Sequence, residues 1–251
     1  TLAADARWAD ALERFEAAQA VAPHPGTTYN IGICERALGR LTRARATFRR
    51  ALSEAETTPI AEGIREDMRA YLGEIEAALA HVTVSLDPAD AAIVVDGRPL
   101  KLQPAADDEG AEAALPRLVA GLLPPGRGEP PPEARFRLVV DPGRHVILIS
   151  RSGFDDVLVE RTFAPGSESE LDLTLSRLPA TLRVGASEPS ATVALDGLDV
   201  GLTPVTLSRP AGSYHVLVRK SGFEAYEADV SLEAAQETDL LAKLQPESIG
   251  L

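Results

Sequence analysis

The chain of 251 residues has one cysteine, one methionine and one tryptophan, and only 4% of it is aromatic. A lone cysteine, Cys34, excludes an intrachain disulfide and any multi-cysteine metal site. So few aromatics mean that any core is mostly aliphatic. No run of about 18 apolar residues occurs, so no membrane-spanning helix is expected. A Gly-rich phosphate loop with its lysine is missing. Positive charge is also short: 25 Lys and Arg stand against 38 Asp and Glu, a net charge of −13. Binding a phosphate backbone needs the opposite balance, so no nucleic-acid partner is expected. Residues 1–80 carry 12 acidic and 10 basic side chains, which leaves −11 for the rest. The chain begins at Thr1, which implies a removed leader or a trimmed N-terminus.

What is present divides in two. In "WADALERFEAAQAVAP" (8–23), Ala11, Phe15 and Ala18 lie four and three apart and share one helix face, and Pro23 ends the helix. Ala44, Phe48 and Ala51 repeat the stripe 33 residues later. Small–large–small faces at this period imply paired helices that approach closely at alanine. "TTYNIGICERALGR" (27–40) reads as the helix between them, with Thr27 or Thr28 as its cap and Gly39 near its end. A fourth helix follows Pro59, with Ile64, Met68, Leu72, Ile75 and Leu79 on one stripe. The segment Ala11-x3-Phe15-x2-Ala18-x4-Pro23 resembles the tetratricopeptide (TPR) repeat, over about residues 1–80. In that family the first helix of each repeat faces the partner. The resemblance therefore implies Tyr29, Asn30, Ile33 and Arg36 as partner-binding residues. The first helix of the first repeat is missing. Residues 1–4 are then its remnant, or Leu2 to Val21 form one longer helix, and the apolar flank at Trp8 is left open. The series Arg36, Arg40, Arg43, Arg45, Arg49 and Arg50 either meets an anionic partner or forms a solvated face balanced by Glu13, Glu16 and Glu35.

From His81 the period becomes two. "HVTVSLDPADAAIVVDGRPL" (81–100) matches "ATLRVGASEPSATVALDGLDVGLTP" (180–204) at an offset of 100. "HVILISRSGF" (145–154) matches "YHVLVRKSGF" (214–223) at an offset of 69. The difference is a 31-residue insertion, 104–134, in the first copy. Asp96-Gly97 and Asp196-Gly197 are hairpin turns. Two small antiparallel β-sandwiches follow: 81–178 with the insertion, and 179–246, leaving a tail 247–251. The fold class is multidomain α plus β, helical hairpins followed by tandem sandwiches. The β copies resemble the PEGA domain, a small β-sandwich. Its Pro-Glu-Gly-Ala signature is degraded to Pro88-Ala89-Asp90-Ala91 and Pro189-Ser190-Ala191. The rest of the pattern holds: Asp-Gly, then Thr203-Pro204, then a long strand ending in Gly-Phe. The first copy lacks the threonine before Pro104. The resemblance implies a bacterial envelope protein in the periplasm or at the cell surface.

The insertion opens acidic, with Asp107, Asp108 and Glu109. It has an apolar centre at Leu115, Leu118, Val119, Leu122 and Leu123, and ends rich in proline. The apolar spacing suits one or two helical turns. These either pack on their own sandwich or bind a partner through Leu115, Leu118 and Leu122.

Chemistry is hard to place. His24, His81, His145 and His215 have no metal-ligand spacing, Asp96 and Asp196 are explained by their turns, and the Ser of Ser-Gly-Phe has no associated base. No catalytic residue, metal or cofactor is expected. The expected function is a non-enzymatic envelope scaffold, with helices that bind a protein partner and β modules that serve as spacer or attachment. Self-association is compatible with this. One alternative is a cell-wall glycan-binding module using Phe154, Phe223, Tyr214 and Tyr226. Another is the regulatory or sensory subunit of a larger signalling assembly.

Overall fold

The computed structural model describes residues 2–103 and 115–247. Among these, four helices precede a β-rich region of several sheets. The helices are α1 (Leu2–Val21), α2 (Pro25–Ala37), α3 (Leu41–Thr57) and α4 (Glu62–Ala78). α1 runs unbroken from Leu2 to Val21, the second of the two expected alternatives. α2 starts before the expected cap. His24 is the N-cap, its Nδ1 accepting the Gly26 N–H at 3.0 Å, and Pro25 fills the first turn, where a missing N–H costs nothing. Thr28 lies inside the helix, and its hydroxyl donates to Glu54 at 2.6 Å.

The two Ala–Phe–Ala stripes meet different fates. Ala44, Phe48 and Ala51 are fully buried in a cluster with Met68, Ile75 and Leu79. Phe15 and Ala11 only flank a small cluster of Leu12, Ile31 and Cys34. Phe48 has helix partners on both sides, its ring 6.1 Å from Tyr29 and 5.7 Å from Tyr71. Trp8 is 39% exposed.

In the first sandwich, β1 (Ala80–Asp87) lies between β6 (Arg135–Val140), antiparallel, and β9 (Glu168–Thr174), parallel. The facing sheet runs β3 (Arg98–Pro99), β2 (Ala92–Val95), β7 (Gly143–Ser150), β8 (Val157–Phe163). Alternate residues point inward, so Val82, Val84, Phe136, Leu138, Ile147 and Ile149 are buried. The second sandwich repeats this plan. One sheet is β13 (Val205–Arg209), β10 (Ala180–Ala186), β16 (Glu237–Ala242); the other is β12 (Leu198–Leu202), β11 (Thr192–Leu195), β14 (Gly212–Arg219), β15 (Tyr226–Leu232). Leu182, Val184, Val193, Val216 and Val218 form its core.

The insertion corrects the expectation of helical turns. Its described part forms β5 (Arg117–Val119), which pairs parallel with β6 and antiparallel with β4 (Lys101–Gln103), extending the three-stranded sheet to five. Leu118 and Val119 are adjacent and both buried, one on each face of the strand, so their spacing misleads a helical reading. The chain then returns to the other sheet, where Glu129 bridges Ile93. The acidic run Asp107–Glu109 falls outside the described residues, as does the tail from 248.

The helices and the first sandwich form one compact unit. The second unit is the second sandwich with residues 151–155. Leu79 is the C-cap of α4 and Ala80 begins β1, so one residue separates the two elements.

Helix pairing generates one prediction. A Cβ on Gly32 would lie 2.5 Å from the Phe48 ring, which is boxed in by Tyr29 and Tyr71. Gly32→Ala should cost about 1–3 kcal/mol by overpacking. Urea unfolding followed by circular dichroism measures it.

Candidate functional site

Three of the four residues expected on the partner-facing helix come together. Tyr29, Ile33 and Arg36 lie on the α2 face that meets α4. Arg36 pairs with Glu74, and its guanidinium sits 4.5 Å from the centre of the Tyr71 ring. Tyr29 packs on Phe48, and Ile33 borders the same cluster. Burial, followed by the neighbouring Tyr71 and Asp67, raises the Tyr29 hydroxyl above its ordinary pKa. Beside this cluster a cavity of about 300 Å³ is lined by Arg36, Leu41, Glu74, Ile75 and Ala78. Asn30 is half-buried on α2 and does not line it. Tyr71 and Glu74 were not legible as site residues. Tyr71 lies three residues after Met68, beside the apolar stripe, which was the available signal.

The apolar residues of the insertion are taken up internally. Leu118 is buried, and Leu122 packs on the helical cluster, which also includes Val119 and Val139. Leu115 is half-buried just before β5. The insertion thus supplies part of the surface on which the helices sit.

Polar contacts complete this docking. α3 has no side-chain cap of its own. Asp141, at the end of β6, provides one from the sandwich: its Oδ1 accepts the Thr42 N–H at 2.6 Å, placing a carboxylate at a helix N-terminus. Burial raises the Asp141 pKa, while the bonds from Thr42 pull it down. Arg43 Nε donates to the Gly121 carbonyl at 2.7 Å. Arg45, 4% exposed, donates to Glu76 at 2.9 Å and reaches Gln103 at 3.4 Å. Five of the six arginines are thus met by Glu54, Glu74, Glu76 or a carbonyl, and Glu35, one of the acids expected from sequence, acts electrostatically on Arg43 and Arg50. Glu35 is buried and accepts the Thr47 hydroxyl at 2.6 Å.

The duplicated β features have structural jobs. Asp96 Oδ1 accepts the Val146 N–H at 2.9 Å, and Asp196 Oδ1 accepts the His215 N–H at 2.8 Å, so each Asp-Gly turn is tied to the long strand. The Ser-Gly-Phe loop bends at Gly153 (φ 81°) and Gly222 (φ 84°) and then clasps the departing chain. Gly153 accepts from Leu178 and Gly222 from Glu247, while Phe154 bridges Arg177 and Phe223 bridges Pro246. The missing threonine is explained too. Thr203 Oγ1 accepts the Ala191 N–H at 3.0 Å and closes the turn, whereas its counterpart Gln103 turns toward Arg45.

The aromatic residues considered for sugar stacking are engaged. Arg151 and Arg177 lie over the Phe154 ring and Lys220 over Phe223, and the Tyr214 hydroxyl donates to the Pro210 carbonyl. Tyr226 packs against the core. Among the described residues, no group of three His, Cys, Asp or Glu side chains is placed to hold a metal ion. His145 pairs with Asp96 at 2.6 Å and with the Asp141 carbonyl at 2.9 Å, a bond that steadies the docking strand. No described helix is long and apolar enough to cross a membrane.

Residues 180–248 match the PEGA domain family. No curated protein matches the chain. Among solved structures, the Bacillus anthracis TIE protein aligns at 9% identity and a TM-score of 0.38, covering 67% of this chain and 34% of that one. The chain thus spans about a third of that protein's length. The minor pilin GBS52 of Streptococcus agalactiae aligns at 10% identity and a TM-score of 0.25, covering 68% and 98%. The shaft pilin SpaA of Lactobacillus rhamnosus GG aligns at 11% and 0.20, covering 69% and 99%.

Two predictions test the docking. Asp141→Ala removes the cap of α3 and should destabilise the protein by about 1–2 kcal/mol, while Asp141→Asn, which keeps an acceptor, loses less; denaturant melts rank the two. His81 on β1 has a buried Nδ1 without a partner, and burial, reinforced by Arg137 and Arg117, lowers its pKa below the ordinary 6.5. A lowered histidine pKa favours the folded state above the unfolded value, and that stability is lost as pH falls from 6.5 toward the folded value. His81→Gln should flatten this part of the pH–stability curve. An unchanged acid slope in denaturant titrations at pH 7 and pH 5 would discount it.

Proposed function

We propose that the chain is a non-enzymatic scaffold of the bacterial envelope. The TPR-like helices hold a protein partner, and the PEGA-like sandwiches set its distance from an attachment point. One observation carries the reading: Arg36 of α2, lying over the Tyr71 ring, pairs with Glu74 of α4 at a cavity of about 300 Å³ that Leu41, Ile75 and Ala78 also line. The helical layer is docked on the first sandwich through Val119, Val139 and Asp141, which gives the cleft a rigid base. The PEGA match over 180–248 supports an extracytoplasmic setting. The acidic surplus of residues 81–251 suits solubility there.

The test is affinity capture from an envelope fraction with the full chain and with an Arg36→Ala/Leu41→Ser variant whose melting temperature is unchanged. Specific co-purifying proteins should fall at least about tenfold with the variant. Equal capture by both chains rules the cleft out. Retention of insoluble peptidoglycan by both chains would favour the glycan reading instead.

A further inference from the structure

The two sandwiches are copies of one plan, yet one sheet edge differs between them. In the first, the outer edge of β6 is covered by β5. The Arg137 N–H donates to the Pro116 carbonyl at 2.9 Å, and the Val139 carbonyl accepts the Ala120 N–H at 2.9 Å. Leu118, between those two bonds, is buried beside Leu138, to which it is in register. In the second sandwich the counterpart of β6 is β13. By the 69-residue offset, Thr206, Leu207 and Ser208 stand where Arg137, Leu138 and Val139 stand. β13 is an edge strand: β10 pairs with one side of it, and no described strand pairs with the other.

One detail marks this edge as an unfilled version of the first. The Ser208 carbonyl, equivalent to the Val139 carbonyl that accepts from β5, is taken by the Arg209 guanidinium at 2.9 Å. The first copy has buried, aliphatic Val140 at the position of Arg209. A flexible cation thus stands in for the missing strand. Open strand edges are commonly blunted by charged side chains, and an open edge is also the receiving surface in strand addition.

We infer that the β13 edge accepts an extended segment of a partner protein, which adds parallel to β13 as a fourth strand. The segment places an aliphatic residue opposite Leu207 and displaces Arg209 from the Ser208 carbonyl. Its chemistry is taken from the strand that fills the same edge in the first copy. That strand is short and extended, with Leu flanked by residues whose backbone N–H and C=O bond Ser208 and Thr206. This surface lies in the second sandwich and is independent of the cleft between α2 and α4.

The probe is a synthetic peptide of residues 115–121, Leu-Pro-Arg-Leu-Val-Ala-Gly, titrated into the full chain. Hydrogen exchange is read by NMR, and affinity by anisotropy of the labelled peptide. Bound peptide should slow exchange of the Thr206 amide at least about tenfold and leave the Arg183 amide unchanged. Arg209→Val, which copies the first sandwich, should bind about fivefold to tenfold more tightly, because one competing hydrogen bond is gone. Thr206→Pro, which removes the edge N–H, should abolish binding. If that variant unfolds, the exchange pattern of the wild-type chain decides alone. The inference is overturned by unchanged Thr206 exchange at saturating peptide. Protection confined to Arg137, where the peptide would have replaced β5, also overturns it. So does a dimer of the chain alone, seen in sedimentation and broken by Arg209→Glu, since a second copy would then be the occupant.

Discussion

The docking of α3 onto the edge-extended sheet is the contact on which the first unit depends. α3 begins without a cap of its own, and a helix N-terminus inside a protein cannot leave its amides unpaired. Asp141 supplies the acceptor, and the Gly121 carbonyl takes Arg43 in the same turn. Val119 and Val139, on neighbouring strands in register, complete the apolar floor beneath Phe48 and Ile75. Capping, ion pairing and burial therefore act at one place.

Two copies of a fold normally diverge on their surfaces and keep their cores. Here the kept features are those that hold the chain path. The Asp-Gly carboxylates tie to the long strands, and the Gly-Phe bends clasp the departing segments. The diverged features sit at one sheet edge. Gln103 stands where Thr203 closes a turn, contacts Arg45 instead, and ends β4, which pairs with β5. One substitution in a turn therefore accompanies the gain of one strand, β5, at this edge.

The cleft between α2 and α4 follows from the same arrangement. With α3 facing the sandwich, α2 and α4 are left to meet across Phe48, and their outer rims bring Arg36 to Glu74 over Tyr71. The charged pair is half-exposed, so its contribution to stability is small. Its position at the mouth of a cavity is what gives it functional interest.

Much of this was legible in the sequence. Period-3.6 stripes placed four helices, period-two runs placed the β-rich region, and the offsets of 100 and 69 pointed to two tandem sandwiches. These signals are local, because helix and strand faces are set by residues a few positions apart. The Asp-Gly turns were likewise readable from their neighbours. The insertion's strand was not, since three residues of β5 exist only because β6 offers an edge to pair with. Nor was the docking: Arg43 and Gly121 are 78 residues apart, and Thr42 and Asp141 are 99 apart. Sequence determined the parts and their number, because backbone periodicity and turn chemistry act over short range. Which edge is filled, which arginine is buried and which helix face remains open were decided by tertiary packing, which joins groups that no local pattern relates.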